Sequence, residues 1–215
     1  MKYTKGHVIF TSMMTEEEIW QKALLVWETG AKALRELVRV VSPAAMAQCV
    51  GMLAECRGRI ITSGTGTSAA AARKIAHSLS CIERPSLFLS PADAVHGGLG
   101  VVQQGDVAIL ISKGGGTKEL LALVPALKTK QVPIIGVTEK EDSPLANASS
   151  LLLKVRVEKE ADEFNMLATT STMAVIAVFD AVAIALMQYT GYTRERFAVI
   201  HPAGAVGERL LRKGP

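Results

Sequence analysis

The chain has 215 residues, enough for one large domain, and with 49% hydrophobic and 20% charged residues it is too apolar to be intrinsically disordered. Its 24 basic and 20 acidic residues give a net charge of +4, but they are interspersed, and no basic run exceeds two residues. This distribution argues against nucleic-acid binding and favours a mixed, solvated surface that can still attract a small anion.

The mean hydropathy of +0.27 is high for a soluble monomer. We therefore expect a homo-oligomer that buries apolar helix surface between subunits. Cys49, Cys56 and Cys81 do not have the spacing of metal ligands, so we predict free thiols and no metal site. The N-terminus lacks the apolar core of a signal peptide, and a cytoplasmic location is expected.

Two helices are predicted near the N-terminus, after an irregular arm at residues 1–14. Thr15 is a helix N-cap followed by three glutamates, which suit the positive end of a helix dipole. Ser42 followed by proline has a similar signature. Apolar spacing places the helices at about 16–41 and 43–56.

From residue 59 onward, short β-branched runs alternate with helical stretches. Strands are expected at 59–62, 87–89, 107–111, 133–137 and 151–155, and helices near 68–82, 117–130, 143–148 and 166–190. Apolar strands that alternate with helices predict one α/β domain, residues 15–215, whose parallel sheet is covered on both faces.

The segment 166–190 is long and apolar enough to span a membrane. However, Asp180 lies in its middle, and no positive flank follows it. We expect a helix buried at a subunit interface and no membrane association.

Two strand-to-helix junctions carry loops rich in glycine and hydroxyl residues, SGTGTS at 63–68 and SKGGGT at 112–117. Glycines let the backbone approach an anion, and the following helix offers unpaired N–H groups. Tight turns that need glycine are the alternative for either loop alone, but two such loops on one sheet predict a phosphate site. A dinucleotide site is disfavoured because no acidic residue ends the next strand, and no P-loop motif occurs.

A third hydroxyl cluster, TTST at 169–172, opens the long apolar helix. Helix capping is one explanation, and contact with sugar hydroxyls or phosphate is the other.

Two of the four histidines, His96 and His201, lie in glycine- or proline-containing turns. An imidazole there could move protons during ring opening or enolisation, or could simply be a surface residue. His7 and His77 are interpreted as structural or surface residues.

The acidic stretch after the last strand could present a catalytic base to a ligand at the edge of the sheet. A solvated acidic loop is the alternative for most of its members. These carboxylates are Glu158, Glu160, Asp162 and Glu163.

Six ordered stretches between residues 59 and 212 resemble the SIS (sugar isomerase) domain family, most closely the arabinose-5-phosphate isomerases. They are GTGTSAAAARKIAHSLS, SPADAVHGGLG, AILISKGGGTKEL, KVRVEKEA, ATTSTMAVIAVFDAVAIALM and FAVIHPAGAVGERLL. The resemblance implies an α/β/α sandwich with a five-stranded parallel sheet. It also implies a homotetramer with shared active sites, and aldose–ketose conversion through an enediol without a cofactor.

The resemblance also implies roles for individual residues. Glu160 would be the catalytic base, and His96 and His201 would assist ring opening or proton transfer. The residues expected to hold the phosphate and sugar oxygens are Ser63, Gly64, Thr67, Ser68, Ser112, Lys113, Gly115, Gly116, Thr117, Thr170, Ser171 and Thr172.

Four positions depart from the arabinose-5-phosphate isomerase pattern. Thr67 replaces the lysine of the first loop, Gly114 and Gly116 replace a serine and a glutamate of the second, and Gly98 replaces an aspartate. Losing a cation weakens anion binding unless another replaces it, and we expect Lys113 to do so. The paired CBS domains that often follow in these isomerases are not found in this sequence.

Two function classes therefore remain open. The retained Glu160, His96 and His201 favour a sugar-phosphate isomerase, or a lyase or deaminase that uses the same enolisation. The altered loop positions favour a non-catalytic SIS protein that binds a phosphosugar and acts as a sensor or regulator.

Overall fold

The structure, a computed structural model, describes residues 14–203. Most of the predicted arm, with His7, lies outside the described residues, as does the end of the last matched stretch, 204–215. The single-domain assignment of residues 15–215 stays a prediction.

Within residues 14–203, five parallel strands form one sheet, as predicted. They are β1 (Ile60–Gly64), β2 (Ser86–Phe88), β3 (Val107–Ile111), β4 (Ile134–Thr138) and β5 (Leu151–Lys154). Their order across the sheet is β2-β1-β3-β4-β5. The chain adds β2 on one side of β1 and then crosses over to add β3, β4 and β5 on the other side. Such a reversal leaves a crevice beyond the carboxyl ends of β1 and β3, where α/β proteins bind their ligands.

Helices cover both faces of the sheet and complete the predicted three layers. They are α1 (Glu16–Val40), α2 (Pro43–Glu55), α3 (Gly66–Ser80), α4 (Pro91–Ala94), α5 (Lys118–Leu121), α6 (Val124–Thr129), α7 (Pro144–Ala148), α8 (Thr170–Tyr189) and α9 (Arg194–Ile200), with a 3-10 turn at Gly98–Val101.

Successive residues of the strands point to opposite faces of the sheet and pack into two separate hydrophobic cores. Ile109 and its neighbours on one face pack with residues of α2, α3 and α8, including Leu53 and Phe179. Leu110 and the opposite set pack with α4 to α7, including Leu127. This period-2 alternation with both sets buried is what a parallel sheet between helix layers requires.

The expected helix 117–130 is two short helices, α5 and α6. Pro125 explains the break, because proline has no amide to donate and its ring crowds the carbonyl four residues earlier, that of Leu121.

The long apolar helix begins at Thr170 instead of residue 166. The preceding residues form a turn in which the Asp162 carboxylate accepts hydrogen bonds from the amides of Phe164, Met166 and Leu167. The Asp162 carboxylate thus accepts hydrogen bonds from backbone amides that would otherwise belong to the first turns of a longer helix.

By length and composition alone, α8 could cross a membrane. In the fold it packs against α1, α2 and α3, and Val178, Phe179 and Leu186 are buried there. Asp180 forms an ion pair with Lys74 of α3. These contacts make α8 the central helix of its layer.

Candidate functional site

A cleft opens where β1, β3 and β4 end and α8 begins. Its floor is apolar and includes Ile111, Val137 and Val155. Its polar lining is Thr67, Ser68, Lys113, Thr138, Glu139, Ser171 and Thr172. An apolar cleft with a few convergent polar groups at this point of an α/β sheet is the expected form of a small-molecule site.

The first glycine loop packs the start of α3 tightly against β1. A Cβ on Gly64 would lie 2.9 Å from the backbone carbon of Ser68, so a side chain there would push the helix away. Gly66 has a φ of +55°, in the left-handed region that glycine adopts without strain. Ser63 is buried and its hydroxyl donates to the carbonyl of Leu89 at 2.7 Å, which holds β1 to the segment after β2.

The second loop is held by its own hydroxyls. The Ser112 and Thr117 hydroxyls lie 2.8 Å apart in a hydrogen bond, and the Gly115 amide donates to the Ser112 hydroxyl at 3.1 Å. Gly115 has a φ of +68°. The loop is thereby fixed in a shape that exposes Lys113 and Gly116.

The start of α3 differs from that of most other helices. Five helices begin with a hydroxyl side chain that accepts a hydrogen bond from their first turn, namely Thr15, Ser42, Ser90, Ser143 and Thr193. Thr65 stands at the same position of α3 and makes no such bond. The positive end of a 15-residue helix is therefore left without a side-chain cap at the edge of the cleft.

A buried carboxylate connects the second loop to α8. Glu160 is fully buried and accepts a hydrogen bond from the Lys113 ammonium at 2.7 Å. Its other oxygen accepts from the amides of Thr169 and Ser171 at 3.0 and 3.1 Å. Glu160 thus caps α8 from outside the helix and holds Lys113, whose side chain is 42% exposed, at the cleft.

These partners determine the protonation of Glu160. Burial opposes ionisation, but the Lys113 ammonium and the α8 amides outweigh it and lower the pKa of the carboxyl to about 2. A carboxylate with so low a pKa is a weak base near neutral pH. The structure therefore gives Glu160 a positioning role, and its predicted role as the base remains a prediction.

Comparison with known proteins decides the family. The family model of the SIS domain matches residues 52–185. The chain belongs to the SIS domain family.

Arabinose 5-phosphate isomerase GutQ of Escherichia coli K12 is 39% identical over 166 residues, which are 77% of this chain and 52% of GutQ. The chain thus spans about half the length of the curated relatives it matches. A solved structure of a candidate sugar-phosphate isomerase from Listeria monocytogenes is 52% identical, with a TM-score of 0.87, over 89% of this chain and all of that one. An Escherichia coli CFT073 protein in complex with arabinose 5-phosphate is 34% identical, with a TM-score of 0.83, over 88% of this chain and all of that one.

The residues of the third hydroxyl cluster, 169–172, occupy different environments in this SIS domain. Thr170 is buried, whereas Ser171 and Thr172 line the cleft. The Thr172 hydroxyl donates to the carbonyl of Ala168 at 3.2 Å. Because Glu160 occupies the α8 amides, a ligand here would meet the side chains of Ser171 and Thr172.

Neither predicted histidine lines the cleft of its own chain. His96 is exposed in the turn after α4. His201 ends α9, where its ring stacks on Phe197 at 3.9 Å and its Nδ1 lies 3.0 Å from the Phe197 carbonyl oxygen. A catalytic role for either would need another copy of the chain, and both assignments stay predictions.

Sequence reasoning missed two polar cleft residues, Thr138 at the end of β4 and Glu139 directly after it. Glu139 is half-buried, and among the described residues that line the cleft it is the one with an acidic side chain. Its position at the carboxyl end of a central parallel strand could have indicated it.

Gly115→Ala tests the fixed shape of the second loop. A Cβ on Gly115 would lie 2.1 Å from the Ser143 hydroxyl oxygen, in a residue with positive φ. We expect a loss of about 2–3 kcal/mol in the free energy of unfolding in urea. Gly114→Ala is the control, because nothing lies within 4 Å of its Cβ, and it should change stability by less than about 0.5 kcal/mol. Equal stabilities of the two variants would contradict this description of the loop.

The ionisation of Glu160 predicts a pH dependence of stability. Its folded-state pKa of about 2 lies below the ordinary value of 4.5, so its contribution is complete above 4.5 and is lost as the pH falls towards 2. Between pH 7 and pH 3 the wild type should lose about 2 kcal/mol more stability than Glu160→Gln.

Urea unfolding at several pH values measures this difference, and Glu119→Gln, which removes an exposed carboxylate, is measured alongside as the control. Identical pH profiles for the wild type and Glu160→Gln would show that the carboxyl is not held ionised by these partners.

Proposed function

We propose that this SIS domain binds a sugar phosphate in the cleft and interconverts its aldose and ketose forms through an enediol, as arabinose-5-phosphate isomerases do. The observation that carries the proposal is the uncapped start of α3, which faces a cleft that also presents Lys113. A helix N-terminus together with a nearby ammonium suits a phosphate dianion. The relatives named as arabinose 5-phosphate isomerases and the structure in complex with arabinose 5-phosphate support the substrate class.

In this proposal the phosphate lies against the first turn of α3 and the second glycine loop. Thr67 and Ser68 offer hydroxyls and amides at the helix end, and the hydrogen bond between the Ser112 and Thr117 hydroxyls holds the second loop in shape. Lys113 supplies the positive charge that Thr67 does not. The exposed Gly116 allows a close approach to the backbone, while Gly64 and Gly115 let the two loops pack tightly and Ser63 and Thr170 also act through packing.

The sugar would then extend towards Ser171 and Thr172 at the start of α8. Enolisation moves negative charge onto the carbonyl oxygen, and a fixed ammonium stabilises that charge more in the transition state than in the substrate. Lys113, held by Glu160, suits this role if it bridges the phosphate and the carbonyl end. No cofactor is needed for this chemistry.

We further propose that the protein works as a cytoplasmic homo-oligomer, a tetramer with shared sites. One face of α1 exposes Trp20, Trp27, Leu34 and Val38, with 37% to 82% of each residue accessible. The spacing of these residues by seven, seven and four suits a helix-to-helix contact. Packing of copies could bring His96 and His201 to a neighbour's cleft. Free thiols at the three cysteines suit a reducing compartment.

A second candidate function is phosphosugar binding without catalysis. The observation that favours it is the low pKa of Glu160, which leaves the predicted base unsuited to abstract a proton. In that case the cleft would sense its ligand and change the assembly or a partner.

Proton NMR in D2O separates the two functions. Purified protein is incubated with arabinose 5-phosphate, ribulose 5-phosphate, fructose 6-phosphate and glucosamine 6-phosphate in turn. An isomerase should place deuterium at C2 of one aldose and convert it to the ketose. Thermal stabilisation by one of these sugars with no exchange in any of them would favour the binding protein.

Lys113→Gln should weaken sugar-phosphate binding about 10- to 100-fold, since a charged hydrogen bond contributes roughly 1.5–3 kcal/mol. Isothermal titration calorimetry measures this effect, and Lys128→Gln on α6, remote from the cleft, is the matched control. If Lys113→Gln binds the sugar phosphate as tightly as the wild type does, Lys113 does not contact the ligand.

Trp27→Glu tests the proposed oligomer. Placing a carboxylate in an apolar contact should lower the mass measured by sedimentation equilibrium from an oligomer towards the 22.9 kDa chain. Arg39→Glu, also exposed on α1, should leave the mass unchanged. A wild type that sediments as a monomer at micromolar concentration would contradict the proposal.

A further inference from the structure

We propose that Glu139 is the residue that takes the proton from the sugar, acting as a catalytic base in the cleft that Lys113 also lines. This inference rests on the proposed function, since it assigns a role within the same cleft. It replaces the base role that the sequence predicts for Glu160.

The first support is position. Glu139 is the first residue after β4, and its half-buried side chain lines the cleft together with Lys113, Ser171 and Thr172. Glu160 is not among the cleft-lining residues, because the Lys113 ammonium and the α8 amides enclose its carboxylate. A base must reach the proton that it abstracts, and Glu139 has this access.

The second support is the state of the two carboxylates. Three donors occupy Glu160, as described above, whereas Glu139 has no ion pair or side-chain hydrogen bond within residues 14–203. Its neighbour Glu141, by contrast, pairs with Lys154 at 3.0 Å. A carboxylate that faces an apolar-floored cleft without a partner has its lone pairs available for a substrate C–H or O–H.

The third support is a rigid connection between Glu139 and Lys113. The carbonyl of Lys113 accepts a hydrogen bond from the Glu139 amide at 3.0 Å and another from the Thr138 hydroxyl at 2.8 Å. The residues that carry the base and the cation are therefore fixed to each other through the backbone. Such support is what a catalytic pair needs, since small displacements of reacting groups cost large factors in rate.

The charges also orient the substrate. A phosphate dianion would be repelled by the Glu139 carboxylate and attracted to the start of α3 and to Lys113. The phosphate end is therefore directed towards Thr67 and Ser68, and the carbonyl end towards Glu139.

The proposed step is a proton transfer that balances without any further reagent. The Glu139 carboxylate takes the proton from C2 of the open aldose, the C–H electrons form the C1–C2 double bond, and the carbonyl electrons move to O1 beside the Lys113 ammonium. O1 is then protonated and O2 loses its proton. As the C2 carbonyl forms, the Glu139 carboxyl returns its proton to C1 and gives the ketose.

The test compares Glu139→Gln, Glu139→Asp, Glu160→Gln and the wild type by deuterium exchange at C2 in D2O, with ligand affinity measured by calorimetry. Glu139→Gln should slow exchange at least 100-fold while the Kd changes less than about threefold. Glu139→Asp keeps the carboxylate and should retain more activity than Glu139→Gln. Glu141→Gln, on the same loop but outside the cleft, is the matched control and should exchange within twofold of the wild type.

Three results would overturn the assignment. The first is exchange by Glu139→Gln within threefold of the wild type, and the second is an equal loss of binding and exchange, which would make Glu139 a substrate-holding residue. The third is a Glu160→Gln variant that folds and binds normally but does not exchange. If the wild type exchanges no sugar phosphate, the proposed isomerase function fails, and that outcome is independent of every variant.

Discussion

The buried carboxylate of Glu160 holds together parts of the site that lie far apart in the sequence. It accepts hydrogen bonds from Lys113 after β3 and from Thr169 and Ser171 at the start of α8. A buried carboxylate without partners is unstable, and these donors compensate for the burial of Glu160. The position of the ammonium at the cleft and the starting point of α8 both follow from satisfying this one group.

This arrangement separates two tasks that one acidic residue cannot perform at once. Strong hydrogen bonds make a carboxylate a good anchor, but the same bonds lower its pKa and weaken it as a base. Glu160 has the anchoring contacts, while Glu139 faces the cleft without such partners among the described residues. The Lys113 backbone carbonyl and side chain contact both residues, which couples the two.

Much of the fold could be predicted because its signals are local. The five strands are rich in apolar residues. The glycine loops lie at the ends of two of them, so the parallel sheet and the place of the cleft were accessible from the sequence. The break at Pro125 is also a local effect that the sequence could have indicated. The turn held by Asp162 was not accessible, because its apolar residues continue the helical pattern of the next segment and only the carboxylate contacts interrupt it.

The sequence by itself determined the α/β architecture and the two loops of glycine and hydroxyl residues. It also showed that Thr67 stands where the family pattern has a lysine. Composition and spacing within single segments are enough to identify these features. Only the tertiary structure decided which acidic residue is buried and which faces the cleft. Glu139 and Glu160 both follow strands at the same edge of the sheet, and no local pattern distinguishes them. Their difference arises from the donors that folding brings around each carboxylate, and those donors come from distant segments of the chain.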